Sequence, residues 1–367
     1  MKKLALIGML VTAFTLASCG GSNSPPTNLV IPGSPQNYLS TPTYVQGTDE
    51  YNAFMAINAF RFSVGLGYWQ QNVYLDQAAQ KHMAYSTANS AIISNPYQQD
   101  IEIVGNPSYF ATTPSARAIA LGYYVMQNTT AAPNGTPFAA VGELYALGPA
   151  SSPTSTAILN SMVNTIYHRS GLMAQSTREI GLARDTSGPA TALTHWWISH
   201  GRLDGGQSVA SNYFAVYPNN QLTNVPLSMT MESPSVYPAY TTPAQFNANT
   251  SSPISVTTAI ITNLNNAAFT VTVAGSSTPL AGKTWTMAND PNLNTSSYSA
   301  ATAALTTPPA PVPTIAANEA FWVGNAPFLP NTTYNVTFTG STYLMPYAIT
   351  NNVSQTWQFT TGTSTGN

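Results

Sequence analysis

Four histidines, twelve acidic residues and a single cysteine carry most of the metal-binding and proton-transfer capacity of this 367-residue chain. No H-E-x-x-H helix is present to set two imidazoles on one zinc ion, and no glycine loop is spelled to cradle phosphate. No G-x-S-x-G elbow stands between a strand pattern and a helix pattern, so a hydrolase of that kind loses support as well. The remaining chemistry sits in short strings that follow one another. They are Asn58-Ala59-Phe60-Arg61 with Gly65-Leu66, Leu75 to His82, Gly142-Glu143-Leu144, Met162 to Arg169 (which contains His168), and Glu179-Ile180-Gly181-Leu182. An imidazole among carboxylates is a general acid–base set or the start of a cation site. His195 and His200 lie five apart on a strand pattern, point to opposite faces and cannot share a metal. His82 falls on the apolar stripe of a helix and reads as a core or helix-end residue.

The elements that must position these residues fall into two kinds. Tyr51 to Arg61 and Leu75 to Tyr85 carry apolar residues at helical spacing, and Ser115–Tyr124 and Thr154–Tyr167 are further helix candidates. Ile180–Ala183 and Thr194–Ile198 are short and β-prone. Helices mixed with a few strands imply an α+β or a layered α/β/α domain. After about residue 210 helical periodicity vanishes. Ile254–Ile261, Phe269–Val273, Lys283–Met287, Ala320–Val323, Thr333–Phe338 and Gln355–Thr360 alternate apolar and polar residues between turn-forming clusters, as an all-β sandwich does. Pro308 to Pro313 predicts a long loop. Trp196 and Trp197, adjacent on a strand pattern, predict one core and one surface ring.

The strings between Asn58 and Leu182 resemble those of the CAP superfamily (cysteine-rich secretory proteins, antigen 5 and pathogenesis-related proteins), in its disulfide-free bacterial branch. The resemblance covers roughly residues 51–201 and implies a three-layer α/β/α sandwich with a cleft of two histidines and two acidic residues, sometimes holding a divalent metal. Carried over residue by residue, it implies His168 as the second histidine and Glu143 as the G-E-N glutamate, with Leu144 in place of that motif's asparagine. Asp100-Ile101-Glu102-Ile103-Val104-Gly105-Asn106-Pro107 looks like H-x-E-x-x-G-N-P with aspartate in place of the first histidine; Glu102 and Glu179 both compete for the remaining acidic place. The implied cleft is therefore Asp100, Glu102, Glu143, His168 and Glu179, and a metal would rest on His168, Glu143 and Asp100. One imidazole among carboxylates shifts the preference from zinc or copper toward Mn²⁺, Mg²⁺ or Ca²⁺. Simpler readings stay open: His168-Arg169 as a helix C-terminal cap and Glu143 as a buried hydrogen-bonded strut. Leu329 to Phe338 and the final Trp357-Gln358-Phe359-Thr360-Thr361 resemble bacterial immunoglobulin-like domains.

The chain opens with Lys2-Lys3, an apolar run and Leu16-Ala17-Ser18-Cys19, an export signal too short to span a bilayer, which needs roughly 20 apolar residues. Leu-Ala-Ser-Cys resembles the bacterial lipobox, which implies acylation of Cys19, the single cysteine of the chain. The organisation expected is a signal over residues 1–19, a flexible tether over 20–50, the CAP-like domain over 51–205, a connecting segment over 206–250 and the sandwich over 251–367. Only 6% of residues are charged, against about 25% in an ordinary domain. With a net charge of −2, no basic patch can neutralise many phosphates, so nucleic acid is not expected as a partner. Few ionisable groups also imply a fold less sensitive to pH.

These observations favour an envelope protein held to a membrane by its N-terminal lipid, at the outer membrane if the host has two. Its cleft would bind a lipid or a cell-envelope component without turnover. Two alternatives stand: a hydrolase using Glu143 and His168, with or without metal-bound water, and a structural protein with a vestigial cleft.

Overall fold

The computed structural model describes residues 34–89, 100–129, 132–149, 155–185, 193–203, 206–293, 314–344 and 347–366. Cys19, the export signal, the proline run and the start of the tether lie outside the described residues. From Gln36 onward, residues read as tether are docked. The Gln36 side chain donates to the carbonyls of Tyr68 (3.0 Å) and Arg178 (2.7 Å), and the Tyr44 hydroxyl donates to Asp76.

α1 (Asp49–Ser63) starts where the Thr48 side chain accepts from the Tyr51 N–H, with Asp49 and Glu50 placed against the positive helix end. α2 (Val73–Ala88) is capped by Asn72, and α3 (Pro114–Leu121) by Thr113 and by left-handed Gly122. The helix expected over 154–167 breaks into α4 (Ser155–Val163) and α5 (Tyr167–Leu172). The break holds because Glu232, distant in sequence, accepts from the N–H groups of Ile166 (2.9 Å) and Tyr167 (3.0 Å).

These helices cover a four-stranded mixed sheet in the order β1-β5-β6-β4. Its strands are β1 (Gln70–Gln71), β4 (Ala140–Pro149), β5 (Glu179–Asp185) and β6 (Leu193–Arg202); a β2–β3 hairpin (Val125–Thr129, Ala132–Phe138) precedes β4. One face packs Ile180, Leu182, Trp196 and Ile198 on Phe54 and Ile57 of α1 and Leu159 and Met162 of α4. The other face receives α2, which sits so close that a Cβ on Gly181 would meet the backbone of Leu75 at 2.0 Å. With both faces covered, Trp196 and Trp197 are both buried, so neither is the surface ring expected. This is the three-layer α/β/α arrangement.

The Asn-x-x-Arg string proves structural. Asn58 accepts from the Trp69 N–H and donates to the Trp69 carbonyl. Arg61 lies over the Trp69 ring at 4.0 Å and donates to the carbonyls of Gly67, Leu172 and Ala174. Gly65 takes φ +74, a conformation L side chains rarely adopt.

The second half is a sandwich of two four-stranded sheets. One is ordered β11-β12-β9-β7, from Gly282–Thr286, Glu319–Gly324, Ile254–Thr258 and Phe214–Tyr217; the other is β10-β13-β14-β8, from Thr262–Val273, Thr333–Leu344, Ile349–Thr361 and Leu222–Val225. Its core joins Ile254, Val256, Trp322, Val336, Phe338, Trp357 and Phe359. The segment expected to connect the halves thus supplies an edge strand to each sheet, and it also carries α6 (Pro243–Asn249). β9 and β12 are buried along their whole length, since Ile166 and Tyr167 at the start of α5, Met229 and Phe246 cover the outer face of their sheet. The described residues therefore belong to one compact unit.

Candidate functional site

On the α2 face of the mixed sheet, α2, α3, β4 and the loop entering α3 converge on one buried cluster. Glu102 receives His82 Nδ1 on one oxygen (3.0 Å) and the N–H groups of Phe110 (2.6 Å) and Ala111 (3.1 Å) on the other. Glu143 receives Arg117 Nη2 (2.5 Å) and Ser199 Oγ (3.0 Å). Arg117 also lies 3.7 Å from Glu102 and donates to the carbonyls of Ala111 (3.2 Å) and Asp100 (3.1 Å). His82 Nε2 is 3.8 Å from Glu143, and its ring meets the Trp197 indole edge-on at 4.4 Å. The side chains of His82, Glu102, Arg117 and Glu143 are all 0% exposed.

Asp100 and His168 are the partly exposed members of the group. Burial, with Glu143 nearby, pushes the Asp100 carboxyl up to about 6 against the pull of His82, Arg117 and His168. A raised carboxyl contributes stability below its unfolded pKa near 4 and loses it as pH rises through its folded value. Asp100→Asn is therefore expected to gain about 1–2 kcal/mol on the unsubstituted chain between pH 4 and 7, allowing for solvent screening. Urea unfolding at the two pH values checks this.

His168 opens α5 and uses both ring nitrogens. Nε2 donates to the Tyr145 carbonyl (2.8 Å), and Nδ1 lies 3.2 Å from the Glu232 carboxylate. Burial alone would push its pKa down; Glu232 and the Tyr145 carbonyl outweigh burial and hold it above the usual value. Glu179 stands apart, receiving Asn72 Nδ2 (2.8 Å) and the Tyr123 hydroxyl (2.7 Å), and shares no hydrogen bond with the cluster. His195 pairs with the Tyr145 hydroxyl at 2.7 Å, and His200 is buried on the opposite face against Trp69.

Glu143 and His168, two of the three residues expected to hold a metal, do not fit one as arranged. Both oxygens of Glu143 and of Glu102 are taken by protein donors, and both nitrogens of His168 face acceptors. The Arg117 guanidinium supplies the positive charge a divalent ion would bring. Among the described residues no group of three or more His, Cys, Asp or Glu is set to hold a metal ion. Zinc titration by calorimetry is expected to show no submicromolar site; such a site, lost in His168→Ala, would overturn this reading.

Sequence reasoning placed His82 in the core without its partners and missed Arg117, Ser199 and Glu232. Arg117 left a signal: it is an arginine inside the apolar string Pro114-Ser115-Ala116-Arg117-Ala118-Ile119-Ala120-Leu121 of a chain with ten basic residues. The string Gly362-Thr363-Ser364-Thr365-Gly366 has the spelling of a nucleophile elbow. It follows β14 with no helix after it in the described residues, and no histidine lines the pocket beside Ser364.

No protein-family model matches the chain, and no curated protein matches it. A solved outer surface protein from Borrelia burgdorferi aligns with a TM-score of 0.30 at 16% identity, covering 42% of this chain and 93% of that one, too loosely to carry an inference. No helix among the described residues is long and apolar enough to cross a membrane.

Proposed function

We propose that this chain is a lipid-anchored envelope protein whose CAP-type cleft binds a lipid or cell-envelope component and does not turn it over. One observation carries the non-catalytic reading. Glu102, Glu143 and His168, which a hydrolase would need as base, acid or ligand, are committed to protein partners. A general base must be able to reach a substrate proton, and these groups already hold other hydrogens. The anchor rests on Leu16-Ala17-Ser18-Cys19 after the apolar run. The hydrolase reading retains one favourable observation, an Asp100 carboxyl shifted to about 6 with His168 close enough to act on it, within the working range of an acid–base group.

Three measurements separate these readings. Mass spectrometry of the purified chain is expected to find bound lipid or envelope material, and a chain recovered bare removes the ligand assignment. Ester and peptide libraries are expected to show no turnover; turnover lost in both Asp100→Asn and Glu143→Gln would establish the hydrolase instead. The N-terminal peptide recovered from membranes is expected to begin at acylated Cys19, with Cys19→Ala released to the soluble fraction. An unmodified Cys19 removes the anchor.

A further inference from the structure

Where the α/β/α half meets the sandwich, α4, α5, β8 and the segment after β14 enclose a pocket of about 420 Å³. It shares no residue with the acid–imidazole cluster and falls within the roughly 300–1,000 Å³ range of small-molecule sites. Its buried wall includes Arg169, only 1% exposed, and its exposed rim carries Asn160, Thr223 and Asn224. No acidic side chain is among the lining residues.

Arg169 is the unusual member. Its guanidinium lies 4.7 Å from the Tyr217 ring and 5.8 Å from that of Phe321. Nε donates to the Val163 carbonyl (2.6 Å) and Nη1 to Ser255 Oγ (3.1 Å), while Nη2 donates to nothing among the described residues. Glu232 and Glu319 act on it only through space, and burial pushes it down to about 10. A guanidinium buried without a bonded counter-ion, with donors to spare, favours a carboxylate in its planar fork. The side chains of Asn160, Thr223 and Asn224 make no hydrogen bond among the described residues, so amide and hydroxyl groups line the rim unengaged. That combination matches a ligand with one carboxylate and several hydroxyls.

We propose that this pocket binds a small sugar acid, its carboxylate on Arg169 and its hydroxyls on the rim of Asn160, Thr223 and Asn224. The assignment is independent of the cleft on the α2 face. The test is calorimetric titration of the full chain with glucuronate, glucose and acetate, alongside Asn160→Trp. That variant blocks the mouth from an exposed helical position and leaves the Arg169 packing intact, with its fold checked by circular dichroism. The expected result is saturable glucuronate binding, at least about tenfold tighter than glucose or acetate and lost in folded Asn160→Trp. Absent binding, equal affinity for glucose or acetate, or binding unchanged in that variant overturns the proposal.

Discussion

Arg117→Met is expected to destabilise the fold by ~3–5 kcal/mol, the cost of removing one partner from a buried ion pair. Its guanidinium is enclosed, donates to Glu143 at 2.5 Å and lies 3.7 Å from Glu102. Without it Glu143 keeps, among the described residues, only Ser199 as donor, and the carbonyls of Ala111 and Asp100 each lose one. Burying an unpaired carboxylate is costly, whereas replacing both partners by neutral groups can be nearly neutral. Glu143→Gln in the Arg117→Met background is therefore expected to recover part of the loss. Urea midpoints for the two single variants and the double variant give the coupling directly. A loss below about 1 kcal/mol for Arg117→Met would show that water reaches the cluster and already solvates Glu143.

The cluster was only half legible in the chain, for a physical reason. Helical and alternating periodicities report one-dimensional burial; they located α1, α2, α3, β5, β6, β9, β11 and β12 within a few residues, but only part of β10 (from Phe269, not Thr262), β13 (to Phe338, not Leu344) and β14 (from Gln355, not Ile349). They do not report which side chains meet. His82 sits on an apolar stripe like any core residue; its pairing with Glu102 depends on a loop folding back onto α2. Glu232 lies among prolines and serines with no periodicity at all, yet it caps α5 and faces His168. β4 escaped notice because Gly142 and Gly148 interrupt its pattern, and β7 and β8 because four residues hold too little alternation to see. Asp100, Glu102, Glu143 and His168 were legible through the order of the strings. That signal carries position but not bonding, so Glu179 was grouped with them although it pairs with Asn72 and Tyr123.

His200→Phe is expected to gain stability over the unsubstituted chain steadily as pH falls, by on the order of 3 kcal/mol between pH 6.5 and about pH 4. Burial, with Arg61 nearby, pushes His200 down to about 3 from an ordinary 6.5. In that window the unfolded chain takes up a proton that the folded chain refuses, so the contribution is present above pH 6.5 and lost as pH falls toward the folded value. The ring stacks on Trp69 at 5.0 Å, and its Nδ1 has no hydrogen-bond partner among the described residues, so a neutral aromatic ring keeps the stack and removes the titration. Any repacking cost is independent of pH, which makes the slope of the difference the readout. Asp76, Asp100 and Glu319, whose carboxyls are raised chiefly by burial, act with the opposite sign, but they are common to both chains and cancel. Scarcity of charge alone implied reduced sensitivity to pH; burial of groups such as His200 and Asp100 works against that, because each then carries a large shift. Parallel free-energy curves for the two chains from pH 6.5 to 4 would place the source of any acid sensitivity elsewhere, with partly buried His195, also lowered by burial, the next group to replace.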